Sequence, residues 1–214
     1  MNVQTIPSST TVCVEDSNNI TVNMQGGNQI NLQVDCPPQQ TIRIDRGVQG
    51  APGNNGIYGS FIDTTTQTNN NITQAKYLQF NTTVENDGVV IENDINALPT
   101  KVVFYEAGIY TITFSIQFAN LNNQIHDTDI WLVKNGTQVA QSNSKFAIPN
   151  SHGGVYGHLI GTINYVLTLE ANDYLQFGWS VDNTQIQVEA IPVQLNPTRP
   201  ATPSIILTAI QTAI

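Results

Sequence analysis

The clearest signal in the sequence is a strict alternation of apolar and polar residues in the stretch IYTITFSIQF, residues 109–118. The apolar members of this stretch are bulky, and the residues between them are Thr, Ser or Gln. A period of two is typical of a β-strand with one buried face. The pattern therefore predicts that the core of the domain contains Tyr110, Ile112, Phe114, Ile116 and Phe118.

Similar strand patterns recur further along the chain. The stretch DIWLVKNGTQVAQS, residues 129–142, predicts two strands around Asn135-Gly136, because Asn-Gly is the strongest short hairpin signal. NYVLTLEANDYLQFGWSV, residues 164–181, predicts another strand pair around a turn at 171–173, and SIILTAIQ, residues 204–211, predicts a last strand. No stretch has a convincing helical repeat. Many short strands separated by turns indicate an all-β, antiparallel sandwich or jelly roll.

A second pattern is a glycine at every third position of GVQGAPGNNGIYGSF, residues 47–61. A collagen-type triple helix requires this spacing, because only glycine fits at its crowded axis. A flexible linker rich in Gly, Asn and Pro is the alternative, and the periodicity alone does not separate the two. The predicted neck contains Gly47, Gly50, Gly53, Gly56 and Gly59.

The glycines divide the chain into three parts. Residues 1–45 contain two short alternating stretches, NITVNM and NQINLQV, around Gly26-Gly27, which predicts a small β-rich module. So small a unit seldom holds a core unaided, so we expect it to fold on a partner surface or as part of an oligomer. The expected organisation is an anchoring module at 1–45, a collagen-like neck at 46–59 and a β-sandwich head at 60–214.

The composition argues against two kinds of binding partner. Charged residues make up only 11% of the chain, the net charge is −9 and Lys plus Arg total 7. Nucleic-acid binding and docking on anionic lipid both need basic patches, so we expect neither. No apolar run has the length of a membrane span, and the first ten residues have no features of a secretory signal, which predicts synthesis and retention in a cytoplasm.

The cysteines and histidines suggest little chemistry. Cys13 and Cys36 both precede the glycine repeat, and a reducing cytoplasm favours two thiols over a disulfide; without a nearby His they make a poor zinc site.

His126, Asp127 and Asp129 lie together in HDTD, which we expect to be a polar loop before a strand. His152 and His158 have no recognisable ligand spacing. We therefore predict no catalytic residue, no metal and no cofactor, and a protein that is not an enzyme.

Several of these stretches together carry a family resemblance. They are YGSFIDTTTQT (58–68), YLQFNTT (77–83), AGIYTITFSIQF (107–118), DIWLVKNGTQVAQS (129–142), NYVLTLEANDYLQFGW (164–179) and RPATPSIILTAIQ (199–211). In order and content this set resembles the trimeric jelly-roll heads of the tumour-necrosis-factor and complement-globular-head superfamily. It is most similar to the heads of structural proteins and fibres of tailed bacteriophages, including cyanophages. The resemblance spans nearly all of residues 58–211 and does not include residues 1–45.

The resemblance implies a homotrimer of two-sheet jelly rolls. A collagen-like stretch often precedes such heads, which favours the triple-helical interpretation of the glycine repeat. The implied function is that of a non-enzymatic virion structural protein, assembled in the host cytoplasm and exposed on the particle surface. It would serve as a capsid decoration (cement) protein or head fibre, anchored to the major capsid protein by its N-terminal module. The alternative is a short tail-fibre or baseplate protein, attached to tail proteins, whose head binds host-surface glycan.

Overall fold

The computed structural model describes residues 56–213. The predicted module at 1–45, with Cys13 and Cys36, lies outside the described residues, and so do Gly47, Gly50 and Gly53 of the predicted neck. Among the described residues there are strands and no helices, so the all-β prediction is confirmed for this part of the chain. No helix long and apolar enough to cross a membrane occurs within 56–213.

Sixteen strands form the described region. In chain order they are β1 (Tyr58–Asp63), β2 (Gln67–Thr68), β3 (Lys76–Tyr77), β4 (Thr82–Asp87), β5 (Val89–Asn93), β6 (Pro99–Phe104), β7 (Gly108–Asn120), β8 (His126–Lys134), β9 (Thr137–Gln138), β10 (Ser144–Ile148), β11 (Gly157–Leu169), β12 (Asp173–Val181), β13 (Ile186–Val188), β14 (Gln194–Leu195), β15 (Thr198–Arg199) and β16 (Ile205–Ala213).

These strands assemble into two seven-stranded antiparallel sheets and one small ribbon. In sheet I the order is β11–β7–β16–β1–β4, with β13 beside the far end of β7 and β2 beside β13. In sheet II the order is β10–β8–β12–β6–β5, with β3 beside the far end of β12 and β9 beside β8. The ribbon pairs β14 with β15.

The inner faces of the two sheets share one aromatic core. Phe114 of sheet I meets Phe177 of sheet II edge-on, with ring centroids 5.0 Å apart. Phe104 of sheet II meets Tyr110 of sheet I in the same way, at 4.8 Å. Contacts of this kind between facing sheets define a β-sandwich.

The alternating stretch at 109–118 lies within β7, the longest strand of sheet I together with β11. Its five alternate apolar residues are buried, with at most 1% of each side chain exposed: Tyr110, Ile112, Phe114, Ile116 and Phe118. The hydroxyl of Tyr110 donates to the Glu106 carbonyl oxygen at 2.8 Å, so its polar atom is satisfied inside the sandwich.

The hairpin predicted at Asn135-Gly136 is present. Asn135 and Gly136 have φ values of 50° and 79°, as a two-residue turn of the primed type requires, and they connect β8 to β9. Gly136 adopts this conformation without a steric penalty, since it has no Cβ.

The second predicted strand pair is corrected by the structure. Strands β11 and β12 follow one another through a short turn, but β11 pairs with β7 in sheet I and β12 pairs with β8 in sheet II. The turn therefore passes from one sheet to the other. Asn172, at a φ of 68°, donates its backbone N–H to the Phe104 carbonyl of β6.

The first strand begins at Tyr58, two residues before the expected start of the head. Gly59, the last glycine of the predicted neck, lies in β1 opposite Asn86 and points inward. A methyl group at this position would overlap the ring of Phe61. Close packing within the head accounts for this glycine, whereas Gly56 lies exposed just before the strand with open space around it.

Candidate interaction surface

The outer face of sheet I is uncharged over three adjacent strands, from β11 at the edge through β7 to β16. The outward side chains of β7, β11 and β16 alternate with buried ones, as one-sided sheets require. We call this set the uncharged face: Ile109, Thr111, Thr113, Ser115, Gln117, Ile160, Thr162, Asn164, Val166, Thr168, Ile206, Thr208 and Ile210.

Strand register arranges the uncharged face in rows. Thr111 of β7 lies between Val166 of β11 and Ile210 of β16. Two rows further, Ser115 lies between Thr162 and Ile206. Paired residues project on the same side of a sheet, so each row is a continuous strip of side chains.

The apolar members of this face are unusually exposed. The exposed fraction is 62% for Ile160, 65% for Val166, 43% for Ile206 and 47% for Ile210. Single exposed apolar residues are ordinary, but a set gathered on one sheet face without charges is typical of an interaction site. The chemistry of the uncharged face therefore suits contact with another protein surface.

Strand β11 extends this surface to the edge of the sheet. It is thirteen residues long, and among the described strands it pairs with β7 alone. A long unpaired edge presents backbone N–H and C=O groups to any chain that docks against the uncharged face.

A contact between a histidine and a carboxylate borders the uncharged face. His158 of β11 lies next to Ala119 of β7, and on the other side of Ala119 lies Gln187 of β13. The Nδ1 atom of His158 is 3.3 Å from a carboxylate oxygen of Glu189, and Gln187 donates to the other oxygen of this carboxylate at 3.3 Å. This pair marks the end of the face near the β7–β13 junction.

The HDTD segment lies in a strand, not in the expected loop. Residues 126–129 open β8, so their side chains alternate between the two faces of sheet II. His126 contacts Asp182 at 3.1 Å, whereas Asp127 and Asp129 lie 3.6 and 3.9 Å from Lys145 of β10. The three residues do not converge on one point.

The remaining candidates are equally dispersed. His152 opens the turn at Gly153-Gly154, and His158 pairs with Glu189 as described above. Within residues 56–213, no group of three or more His, Cys, Asp or Glu side chains is placed to hold a metal ion.

No protein-family model matches the chain, and no curated protein matches it.

Sequence reasoning missed the uncharged face, although the last strand contained a signal for it. In IILTAI, residues 205–210, apolar residues occupy both faces, with Ile205 and Leu207 inward and Ile206 and Ile210 outward. Apolar residues on both faces are typical of a strand that is covered on both sides.

Proposed function

We propose that this protein is a non-enzymatic structural component of a bacteriophage particle, exposed on the particle surface as a homotrimer. The head is a jelly roll, the glycine repeat is a collagen-like neck, and residues 1–45 attach the trimer to the particle. The attachment partner is the major capsid protein, and the protein serves as a capsid decoration protein or head fibre.

The strand order supports a jelly-roll topology. The chain passes from β6 in sheet II to β7 in sheet I, back to β8, and later from β10 to β11 and back to β12. Its first and last described strands, β1 and β16, lie side by side. Repeated crossing between two antiparallel sheets is what a jelly roll requires.

The uncharged face is the observation that supports formation of a trimer. Its exposed apolar residues lie in sheet I, which also contains β1, the strand in which the glycine repeat ends. A collagen-like neck brings three chains together, and each head then needs a surface free of charge to bury against its neighbours. We assign that role to the uncharged face.

The decisive experiment measures the mass of the full-length protein by light scattering at micromolar concentration. We expect the mass of three chains. The double variant Val166→Lys/Ile210→Lys places two charges in one row of the uncharged face and should dissociate the heads. Ile95→Lys is the matched control, because Ile95 is 98% exposed in the turn between β5 and β6.

Two results would overturn the proposed trimer. One is a monomer or dimer mass for the unmodified protein. The other is an unchanged trimer in the double variant, which would move the interface away from the uncharged face. Both variants should keep the thermal stability of their monomer fold, since the substituted side chains project outward.

A tail-fibre or baseplate location is the second candidate. Copy number separates it from capsid decoration, because decoration needs many trimers on each particle and tail attachment only a few. Quantitative mass spectrometry of purified particles, with imaging of the labelled protein, gives that number. Absence of the protein from particles would reject both candidates.

A further inference from the structure

The outer face of sheet II has a shallow depression beside Trp131. Trp131 of β8, Gly178 of β12 and Tyr77 of β3 lie in one row. Because Gly178 has no side chain, the indole of Trp131 lies over it, and a methyl group there would overlap indole atoms Cε2 and Nε1. Trp131 and Tyr77 thus flank one glycine on the same face. Their Cα atoms are about 10 Å apart, which is two inter-strand spacings.

The loop after β9 forms one wall of the depression, and hydrogen bonds fix its conformation. The chain turns back after β9 with Gln141 at a φ of 63°, a backbone conformation that residues other than Gly adopt infrequently. Ser142 is buried and fixes the loop: its Oγ accepts from the Leu132 N–H at 3.0 Å and donates to the Val139 carbonyl at 2.8 Å. The hydroxyl of Tyr165 donates to the Ser142 carbonyl. This wall is therefore held in place before any ligand arrives.

The lining carries amide, hydroxyl and carboxylate groups around the indole. Asn143 donates its side-chain N–H to Oδ1 of Asp129 at 2.9 Å, which orients the carboxylate. The eight lining residues include no Lys or Arg; they are Asp129, Trp131, Gln138, Val139, Ala140, Gln141, Asn143 and Ser180. The amides and the hydroxyl both donate and accept hydrogen bonds, whereas the carboxylate of Asp129 only accepts, so together they can bond to neighbouring hydroxyls of a sugar.

We propose that this depression binds a neutral saccharide. The apolar side of a sugar ring packs on an aromatic ring, while its hydroxyls bond to the carboxylate of Asp129 and the amides of Gln138, Gln141 and Asn143. An anionic ligand is disfavoured, since the only charged lining group is a carboxylate, the nearby Lys145 already faces both Asp129 and Asp127, and the chain has a net charge of −9. The second ring, Tyr77, provides a further contact for an oligosaccharide.

This inference goes beyond the proposed structural role and does not depend on it. The site lies on sheet II, whereas the proposed trimer surface lies on sheet I. If the protein binds sugar but is a monomer, the proposed trimer fails and the sugar site stands. If it is a trimer that binds no sugar, the sugar site fails and the trimer stands.

Tryptophan fluorescence of the full-length protein gives a direct readout. The chain has two Trp residues, and Trp179 is buried with its Nε1 bonded to Thr128 Oγ1 at 2.8 Å. A saturable change on sugar addition therefore reports on Trp131. The probes are an array of neutral oligosaccharides, followed by fluorescence titration of the methyl glycosides of glucose, galactose, mannose and N-acetylglucosamine and of the best array ligand.

Substitutions in and beside the depression test whether the sugar binds there. On the array, Trp131→Ala should weaken binding by more than about tenfold, and Asp129→Asn by up to about tenfold, through loss of one charged hydrogen-bond acceptor. Gly178→Ala should also weaken it by pushing the indole aside. Tyr77→Ala should weaken oligosaccharides and leave monosaccharides unchanged. Tyr156→Ala is the control, an exposed aromatic in another loop that should have no effect.

Thermal melting of each variant shows that a loss of binding is not a loss of fold. Three outcomes would overturn the proposal: no binding to any neutral sugar on the array, binding to charged glycans alone, or binding that is unchanged in the Trp131→Ala variant.

Discussion

Asp173 of β12 and Lys134 of β8 form an ion pair, with 2.7 Å between Oδ2 and Nζ. Asn135 donates its side-chain amide to Oδ1 of Asp173 at 2.6 Å, and the Glu170 backbone N–H donates to Oδ2 at 2.7 Å. One carboxylate thus connects the β8–β9 turn to the turn between β11 and β12. Burial by itself raises the pKa of Asp173, but the hydrogen bonds from Lys134, Asn135 and Glu170 outweigh it and hold the pKa below its ordinary value.

This arrangement predicts a loss of stability in acid. Because the pKa of Asp173 is lower in the folded than in the unfolded state, its contribution is complete above the unfolded value of about 4 and is lost as the pH falls through the folded value. Asp173→Asn should lower the free energy of unfolding by about 2–3 kcal/mol at pH 7. The gap between variant and unmodified protein should shrink as the pH falls below about 4, which urea unfolding at several pH values measures.

Asp127→Asn is the control for that prediction. Asp127 pairs with Lys145 at 3.6 Å, and both side chains are substantially exposed. Such a surface pair contributes less than about 1 kcal/mol. An effect at Asp127 equal to that at Asp173 would contradict the assignment of the acid-sensitive stability to Asp173.

The aromatic core gives the second prediction. Phe114 is 1% exposed and contacts the ring of Phe177 across the sandwich. Phe114→Ala should lower the free energy of unfolding by about 3–5 kcal/mol, since it leaves a cavity between the sheets. Thr83→Ala, on exposed β4, should change it by less than about 0.5 kcal/mol. A loss below about 1 kcal/mol for Phe114→Ala would mean that the ring is not a core residue.

The two glycines Gly53 and Gly59 belong to one sequence repeat and should respond differently to substitution. Gly59→Ala should lower the melting temperature of the head, because the new methyl group overlaps Phe61 and approaches Val89. Gly53→Val should leave the head unchanged and remove protease resistance between residues 47 and 59, as expected where three chains wind together. Equally rapid cleavage of the unmodified protein and the Gly53→Val variant would show that the segment is a simple tether.

Residues 1–45 are predicted to carry the attachment function. Removal of these residues should leave a trimeric head that no longer joins particles. The measurement is the amount of truncated protein in purified particles, with the full-length protein added in parallel. Normal incorporation of the truncated protein would place the anchor in the head.

Local pattern was sufficient to predict the five longest strands, which are β7, β8, β11, β12 and β16. The alternation at 109–118 located β7, and Asn135-Gly136 located the β8–β9 hairpin, because period-two burial and a primed turn are both properties of short segments. The pattern also indicated correctly that residues 164–181 form two strands. It did not show that β11 and β12 belong to different sheets, since alternation reports which face is buried and not which strand lies alongside.

The binding surfaces were harder to predict for the same reason. Trp131 and Tyr77 are 54 positions apart by number, and only the pairing of both β8 and β3 with β12 places them beside Gly178. The uncharged face likewise depends on the register of β16 against β7. The period of three in the glycines concealed the start of β1, because Gly59 fits the collagen pattern and the strand equally well.

The position of β16 between β7 and β1 has a consequence for biosynthesis. Strand β1 pairs with β4 soon after it in the sequence, but its other neighbour, β16, leaves the ribosome about 140 residues later, so sheet I cannot close before then. A polypeptide cut short before residue 205 leaves β1 and β7 without their shared partner and leaves inward aromatic side chains uncovered. We therefore expect products that lack β16 to expose apolar surface and to aggregate instead of completing the sandwich.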